Sequence, residues 1–158
     1  MVKHSAGILM YRSREDSLEV LLVHPGGPFW AKKDEGAWSI PKGEFNIDTE
    51  DPLEAARREF VEETGFTPEG DFISLDTLAQ SNMKIVHAWA VEGDCDVAHI
   101  KSNTFSMEWP PRSGKQQEFP EVDRAGWFDI ETAKTKILKG QTAFIDRLLE
   151  QLKKLERI

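Results

Sequence analysis

The sequence predicts an α+β domain in which a mixed β-sheet lies between helices. Three observations predict it. Two β-branched, alternating runs open the chain around the polar turn "SREDS" (13–17). A capped amphipathic helix at 52–64 separates them from a second group of strand patterns. The C-terminal 29 residues, "IETAKTKILKGQTAFIDRLLEQLKKLERI", carry a helical period. Strands, one helix, more strands and a terminal helix is the order of a layered α+β fold. A length of 158 residues suits a single domain, and no internal repeat or low-complexity linker divides it.

Taken in order, "HSAGILMYR" (4–12) and "SLEVLLVH" (17–24) read as paired strands. Residues 25–51 form a long Gly/Pro-rich loop broken by the short apolar piece "WSI". Loops of that length in compact domains tend to serve function. The helix at 52–64 has Asp51 to cap it, Pro52 at its first position and Gly65 to stop it, with Leu53, Ala56 and Phe60 as its buried stripe. Further strands are expected at 72–80, 82–93, 99–109 and 124–130, with a proline-broken loop at 110–123. The terminal helical region breaks near Gly140, and Leu148, Leu149, Leu152 and Leu155 supply the stripe that docks it on the sheet.

Composition narrows the function classes. A formal charge of −8 argues against a polyanion-binding surface, so no long nucleic acid is expected as partner. It leaves room for small phosphorylated ligands held through metal ions and a few local cations. The single cysteine, Cys95, permits no internal disulfide and no cysteine-based zinc cluster. The N-terminal apolar run is too short for a signal peptide or membrane span, which makes a cytoplasmic protein, monomer or homodimer, the simplest expectation.

The stretch "REFVEETGF" (58–66) concentrates the chemistry. On a helix, Glu59, Glu62 and Glu63 stand at i, i+3 and i+4, crowding three carboxylates onto one turn. The helical period puts that acidic stripe roughly a quarter turn from the apolar one, at the edge of the core. Three oxygen ligands from one turn form a half-shell for Mg²⁺ or Mn²⁺, which prefer carboxylates and keep waters that substrate phosphates replace. A charge run of this kind is, by itself, usually a solvated face. Arg58 adjoins the trio, Glu50 lies eight residues before Arg58, and Gly43 sits in the loop entering the helix.

This constellation resembles the signature of the Nudix hydrolase family. Its pattern is a glycine, five residues, Glu, seven residues, then Arg-Glu-(apolar)-x-Glu-Glu-x-Gly-(apolar). Glu50, Arg58, Glu59, Phe60, Glu62, Glu63, Gly65 and Phe66 match at the proper spacings, in a box spanning about 43–66. One departure stands out: six residues, not five, separate Gly43 from Glu50. The resemblance covers nearly the whole chain and implies an α/β/α sandwich that hydrolyses a diphosphate linkage in a nucleoside diphosphate joined to another group. It further implies that Glu59, Glu62 and Glu63 hold divalent ions, that Gly43 offers a backbone carbonyl to metal unless the longer loop displaces it, and that Arg58 and Glu50 form a supporting ion pair. The general base in this family sits in the helix or in a later loop, which makes Glu63, Glu121 and Glu118 the candidates.

Substrate contacts are read from the loops. "WSIPKGE" and the "SAGILMYR" strand resemble the diadenosine tetraphosphate hydrolases within the family. Lys42 is placed to meet a phosphate beside the metals. Lys32 and Lys33 in the earlier loop, and Arg112 and Lys115 in the later one, are expected to add charge along a polyphosphate. Trp30, Trp38 and Trp109 border polar loops, where a ring can stack on a base, whereas Trp89 and Trp127 read as sheet packing. The four histidines, 4, 24, 87 and 99, have no metal-ligand spacing. Within the same class, a nucleoside triphosphate, a nucleotide sugar or a capped RNA end are alternative substrates. From other classes come a Nudix-like module that binds nucleotide without cleaving it and a structural Ca²⁺ site, the latter disfavoured because the Asp-rich EF-hand loop is absent.

Overall fold

A computed structural model describes residues 2–158. β1 (Lys3–Arg14) and β2 (Ser17–Pro25) form an antiparallel hairpin whose two turn residues, Glu15 and Asp16, both have positive φ. That is the twist a two-residue hairpin turn needs to match its strands. β3 (Lys42–Phe45) pairs antiparallel with β1, α1 (Pro52–Thr64) follows, and β4 (Ile73–Ser81) and β5 (Lys84–Glu92) make a second hairpin. β6 (Thr104–Glu108) and β7 (Gln116–Pro120) form a separate two-stranded sheet, and β8 (Val122–Asp129) returns to the main one. α2 (Ile130–Lys136) and α3 (Thr142–Lys154) close the chain.

The main sheet runs β4-β5-β1-β2-β8, with β3 also on β1; β1 and β5 are parallel and the other pairs antiparallel. The sheet is therefore mixed. Alternation along β1 divides the core into two layers. Ala6, Ile8 and Met10 meet Ala55, Ala56 and Phe60 of α1. Leu9 and Tyr11 join the other layer, which includes Ile137 and the α3 residues Phe144, Ile145, Leu148 and Leu152. This is an α/β/α sandwich.

Helix α1 begins and ends where its sequence says. The Asp51 carboxylate accepts from Glu54 N at 3.1 Å, Pro52 occupies the first turn, and Gly65 takes the left-handed conformation, φ 82°, with its N–H on Val61 O. The terminal break falls at Lys139–Gln141, one turn of 3₁₀ helix that contains Gly140.

Several expectations are corrected. The loop expected over 25–51 contains β3, and that expected over 110–123 contains β7. Both strands are short and polar on one face, so neither carries an apolar run. The strand expected over 99–109 begins only at Thr104, because Val97–His99 forms a 3₁₀ turn capped by the Asp96 carboxylate. In α1 the deep residues are Ala55, Ala56 and Phe60, while Leu53 is only half-buried. In α3 the stripe starts at Phe144 and Ile145 and ends at Leu152; Leu155 lies beyond the helix and is exposed.

Candidate active site

The site is built where α1 faces β3. Register with β1 (Ala6 opposite Gly43, Gly7 opposite Lys42) fixes β3 beside the helix. The Lys42 N–H then donates to Glu63 Oε1 at 3.1 Å. The backbone of Gly43 presses on Glu59: a Cβ there would come within 2.0 Å of Glu59 Oε1. Only glycine permits that approach.

Arg58 and Glu50 make the ion pair the sequence implies. Nε and Nη2 of Arg58 donate to the two Glu50 oxygens, both at 2.9 Å, in a fork-to-fork pair. The pair pulls the Glu50 carboxyl below its ordinary range and raises the guanidinium further. The remaining nitrogen, Nη1, donates to Glu59 Oε2 at 2.8 Å and to Glu62 Oε2 at 3.2 Å. Arg58 thus neutralises part of the acidic turn and orients two of its carboxylates at once.

The trio is electrostatically frustrated. Glu59 is buried, and burial plus the charge of Glu62 raises its pKa against the pull of Arg58. Burial pushes Glu63 up to about 8, with Glu59 and Glu121 adding to the rise and the Lys42 N–H opposing it. Lys42 is lowered, chiefly by burial, although Glu63 opposes the shift. Among the described residues, no three His, Cys, Asp or Glu side chains are already gathered around a common point that would hold a metal. The reason is visible in the partners: Glu59 and Glu62 turn to Arg58, and Glu63 turns to Lys42 N. The donor set nonetheless fits a hard divalent cation, with anionic oxygens only and a glycine backbone lying against one of them.

Glu121 reaches the same cleft from a distant part of the sequence. Its carboxyl is raised by burial and by the charge of Glu62. Three backbone hydrogen bonds put it there: Asn103 N to Glu62 O at 2.8 Å, Glu121 N to Asn103 O at 2.8 Å, and Gly26 N to Glu121 O at 2.9 Å. They run from the acidic turn of α1, across the base of the β6–β7 hairpin, to the loop after β2. The cleft so formed is about 500 Å³. Its walls include Phe29 and Trp30 from that loop and Phe105 and Met107 from β6, side chains that the sequence reading, Trp30 apart, did not single out. The signals were the aromatic run "PGGPFW" and the alternation in "TFSMEW".

Of the remaining sequence candidates, Lys42, Gly43, Glu59, Glu62, Glu63 and Glu121 line the cleft together. Glu118 does not. It sits opposite Ser106 on the exposed face of the hairpin, whereas Phe105 and Met107 alternate onto the cleft face. Trp38 is corrected too: it is buried, donates from Nε1 to Asp34 at 2.8 Å and packs edge-on against His24 and Phe128, so no face is free for a base. Arg112 and Lys115 lie exposed at the hairpin tip, outside the cleft lining. Lys33 stands with its ammonium 4.1 Å over the Phe29 ring and 5.0 Å over Trp30, bracing those rings rather than lining the cleft. Cys95 is buried, and burial pushes its thiol up to about 11, in keeping with a packing role.

The α/β/α sandwich therefore carries an acidic helical turn that faces a strand glycine across a cleft. The sequence model of the NUDIX domain matches residues 1–148, and the chain belongs to that family. No curated protein matches it significantly. Among solved structures it is similar to the NUDIX domain of Shewanella oneidensis NrtR complexed with ADP ribose (14% identity, TM-score 0.67, covering 96% of this chain and 89% of that one). It is also similar to a Caenorhabditis elegans Ap4A hydrolase in a binary complex (21% identity, TM-score 0.64, 96% and 98% covered). A Nudix hydrolase from M. smegmatis, RenU, aligns at 19% identity and TM-score 0.61, with 96% and 86% covered. At these identities the likeness is one of fold. No helix among the described residues is long and apolar enough to cross a membrane.

Proposed function

We propose that this chain is a divalent-metal-dependent hydrolase that cleaves a phosphoanhydride bond in a nucleoside diphosphate joined to a second group. The observation that carries the reading is the convergence of Glu59, Glu62, Glu63 and Glu121 with Lys42 on one cleft. Glu59, Glu62 and Glu63 would hold Mg²⁺ or Mn²⁺ beside the Gly43 backbone. Such an ion offsets charge on phosphate oxygens and lowers the pKa of a bound water.

The chain's own residues supply the rest. Lys42 is a compact charge for a non-bridging phosphate oxygen. Arg58, fixed by Glu50, keeps Glu59 and Glu62 in place. Glu121 faces the acidic turn without belonging to it, and its raised pKa suits a general base. Water attacks one phosphorus and gives a proton to Glu121. A new P–O bond forms as the bridging P–O bond breaks, and the electron pair leaves on the departing phosphate. A cytoplasmic monomer or homodimer accompanies this reading.

The test is a panel of nucleoside diphosphate derivatives incubated with Mg²⁺ or Mn²⁺, with products separated by chromatography. Cleavage of at least one member, lost in Glu62→Gln, is expected. No cleavage by the wild type, together with unaltered metal binding in Glu62→Gln, defeats the reading.

A further inference from the structure

His24 is a completely buried imidazole at the end of β2, edge-on to Trp38 at 5.2 Å, on the α3 side of the sheet. Both ring nitrogens meet oxygen. Nδ1 lies 2.9 Å from Asp123 Oδ1, and Nε2 lies 2.6 Å from the Lys33 carbonyl. A carbonyl only accepts, so Nε2 bears hydrogen. A neutral ring then has none for Nδ1, which would point a lone pair at a carboxylate oxygen. Both contacts are satisfied together only when a further proton lies between Nδ1 and Oδ1. Imidazole is the stronger base, at about 6.5 against about 3.9 for a free aspartate, so that proton belongs to the ring.

The two bonds sit at a junction. The loop after β2 leaves the sheet at Pro25, carries Phe29 and Trp30 along the cleft and folds back at Lys33, whose N–H donates to Trp30 O at 2.9 Å. The bond from Nε2 therefore joins the end of the loop to its beginning. In between, Gly26 and Gly27 pass the β6–β7 hairpin so closely that added Cβ atoms would stand 2.0 Å from Pro120 O and 2.9 Å from the Phe105 ring. Asp123 stands two residues past Glu121, whose carbonyl accepts from Gly26 N at 2.9 Å. The other charges nearby are placed differently. Arg124 is 3.9 Å from Asp123, beyond hydrogen-bond reach, and lies over the Trp38 ring. The Lys33 ammonium lies over Phe29, and Asp34 takes Trp38 Nε1 and the Lys136 ammonium.

We infer that His24 is a positioning residue: a doubly protonated ring that ties the Phe29–Trp30 loop, at Lys33, to the strand that follows Glu121. A ring with one hydrogen can donate to Lys33 or to Asp123 but not to both, so losing the Nδ1 hydrogen unties loop from strand. His24 does not line the cleft and acts on it through what it ties. The tie fixes one wall, Phe29 and Trp30, relative to Glu121. That Glu121 serves as general base rests on the reading above; the tie itself does not.

The first experiment is NMR of the whole chain carrying isotope-labelled histidine, titrated upward in pH from an acidic start, with the His24 signals identified by their loss in His24→Gln. Both ring nitrogens should bear hydrogen at the acidic end. Asp123→Asn offers an amide N–H to Nδ1, so a neutral ring then satisfies both contacts. The variant should give up the Nδ1 hydrogen at least about one pH unit below the wild type, the scale of one charged partner lost. A ring with a single N–H throughout overturns the inference, and so does an equal midpoint in the two proteins. The second experiment is amide hydrogen exchange read by mass spectrometry. In His24→Ala the segment 25–36 should exchange about tenfold faster, the scale of one charge-assisted hydrogen bond, with α1 and α3 unchanged. His24→Gln, whose amide can still donate to the Lys33 carbonyl, should restore most of that protection. Wild-type exchange in His24→Ala overturns the inference, as does a His24→Gln variant as fast as His24→Ala. Should His24→Ala not fold, the titration of wild type against Asp123→Asn decides. Neither measurement uses substrate, so an inactive chain leaves both results standing and bears on the hydrolytic reading alone.

Discussion

A methyl group on Gly43 would stand 2.0 Å from Oε1 of Glu59, so strand β3 and helix α1 touch through a glycine and a carboxylate. The segment from Gly43 to Glu50 is one residue longer than the family pattern, yet this contact survives. Pairing with β1 holds Gly43. The span from Asn46 onward folds into a compact turn, with Thr49 N and Glu50 N both on Asn46 O and Asp48 N on the Asn46 side chain. Gly43→Ala should therefore lower affinity for Mn²⁺ at least about tenfold, since overpacking at such a contact costs about 1–3 kcal/mol. Isothermal titration of Mn²⁺ into both proteins checks it, and equal affinities would detach Gly43 from the site.

Arg58 neutralises carboxylates that a divalent ion would also neutralise. Removing it by Arg58→Ala should lower the melting temperature of the chelator-treated protein. Mn²⁺ should then restore more of that loss than it adds to the wild type. Thermal melts with chelator and with saturating Mn²⁺ give the comparison; equal gains in the two proteins would mean that Arg58 and the ion do not act on the same charges.

The pH dependence of the metal-free protein follows from Glu63. Its carboxyl titrates at about 8 when folded, against an ordinary value of 4.5. The folded state binds the extra proton, so the stabilisation is complete below about pH 4.5 and is lost as pH rises through about 8. The chelator-treated protein should melt lower at pH 8 than at pH 5.5. Glu63→Gln should flatten that slope, and a slope unchanged by the substitution would assign it to other groups.

Glu121→Gln should slow turnover by about a hundredfold or more, the lower range for general-base catalysis, and leave Mn²⁺ affinity close to that of the wild type. Glu63→Gln should weaken both. Initial rates and Mn²⁺ titrations on the two variants separate the roles, and a near-normal rate for Glu121→Gln would move the base to Glu63.

The half of the site carried by α1 was legible because it is local. Asp51, Pro52 and Gly65 fix where the helix starts and stops, and its period then puts Glu59, Glu62 and Glu63 on one turn. Lys42 and Gly43 followed from their place before that turn. The other half is assembled at long range. Phe105 is brought to Gly27 by backbone pairing that leaves no mark in either stretch, and Trp38 reads like a loop aromatic although its neighbours, His24 and Phe128, make it core. Glu118 and Glu121 differ by three positions in one acidic stretch, and only the alternation of β7 and the bond from Glu121 N to Asn103 O separate an exposed acid from one in the cleft.

The three backbone bonds joining Glu62, Asn103, Glu121 and Gly26 close the neck of the β6–β7 hairpin. Everything between residues 104 and 120 leaves and re-enters the domain at that neck, and the carboxylates of α1 and Glu121 lie behind it. The hairpin is thus tied to the domain at a single base. On the proposed function, a graft of different length or side chains, spliced between Asn103 and Glu121, should change ligand preference and leave the carboxylates of α1 in place.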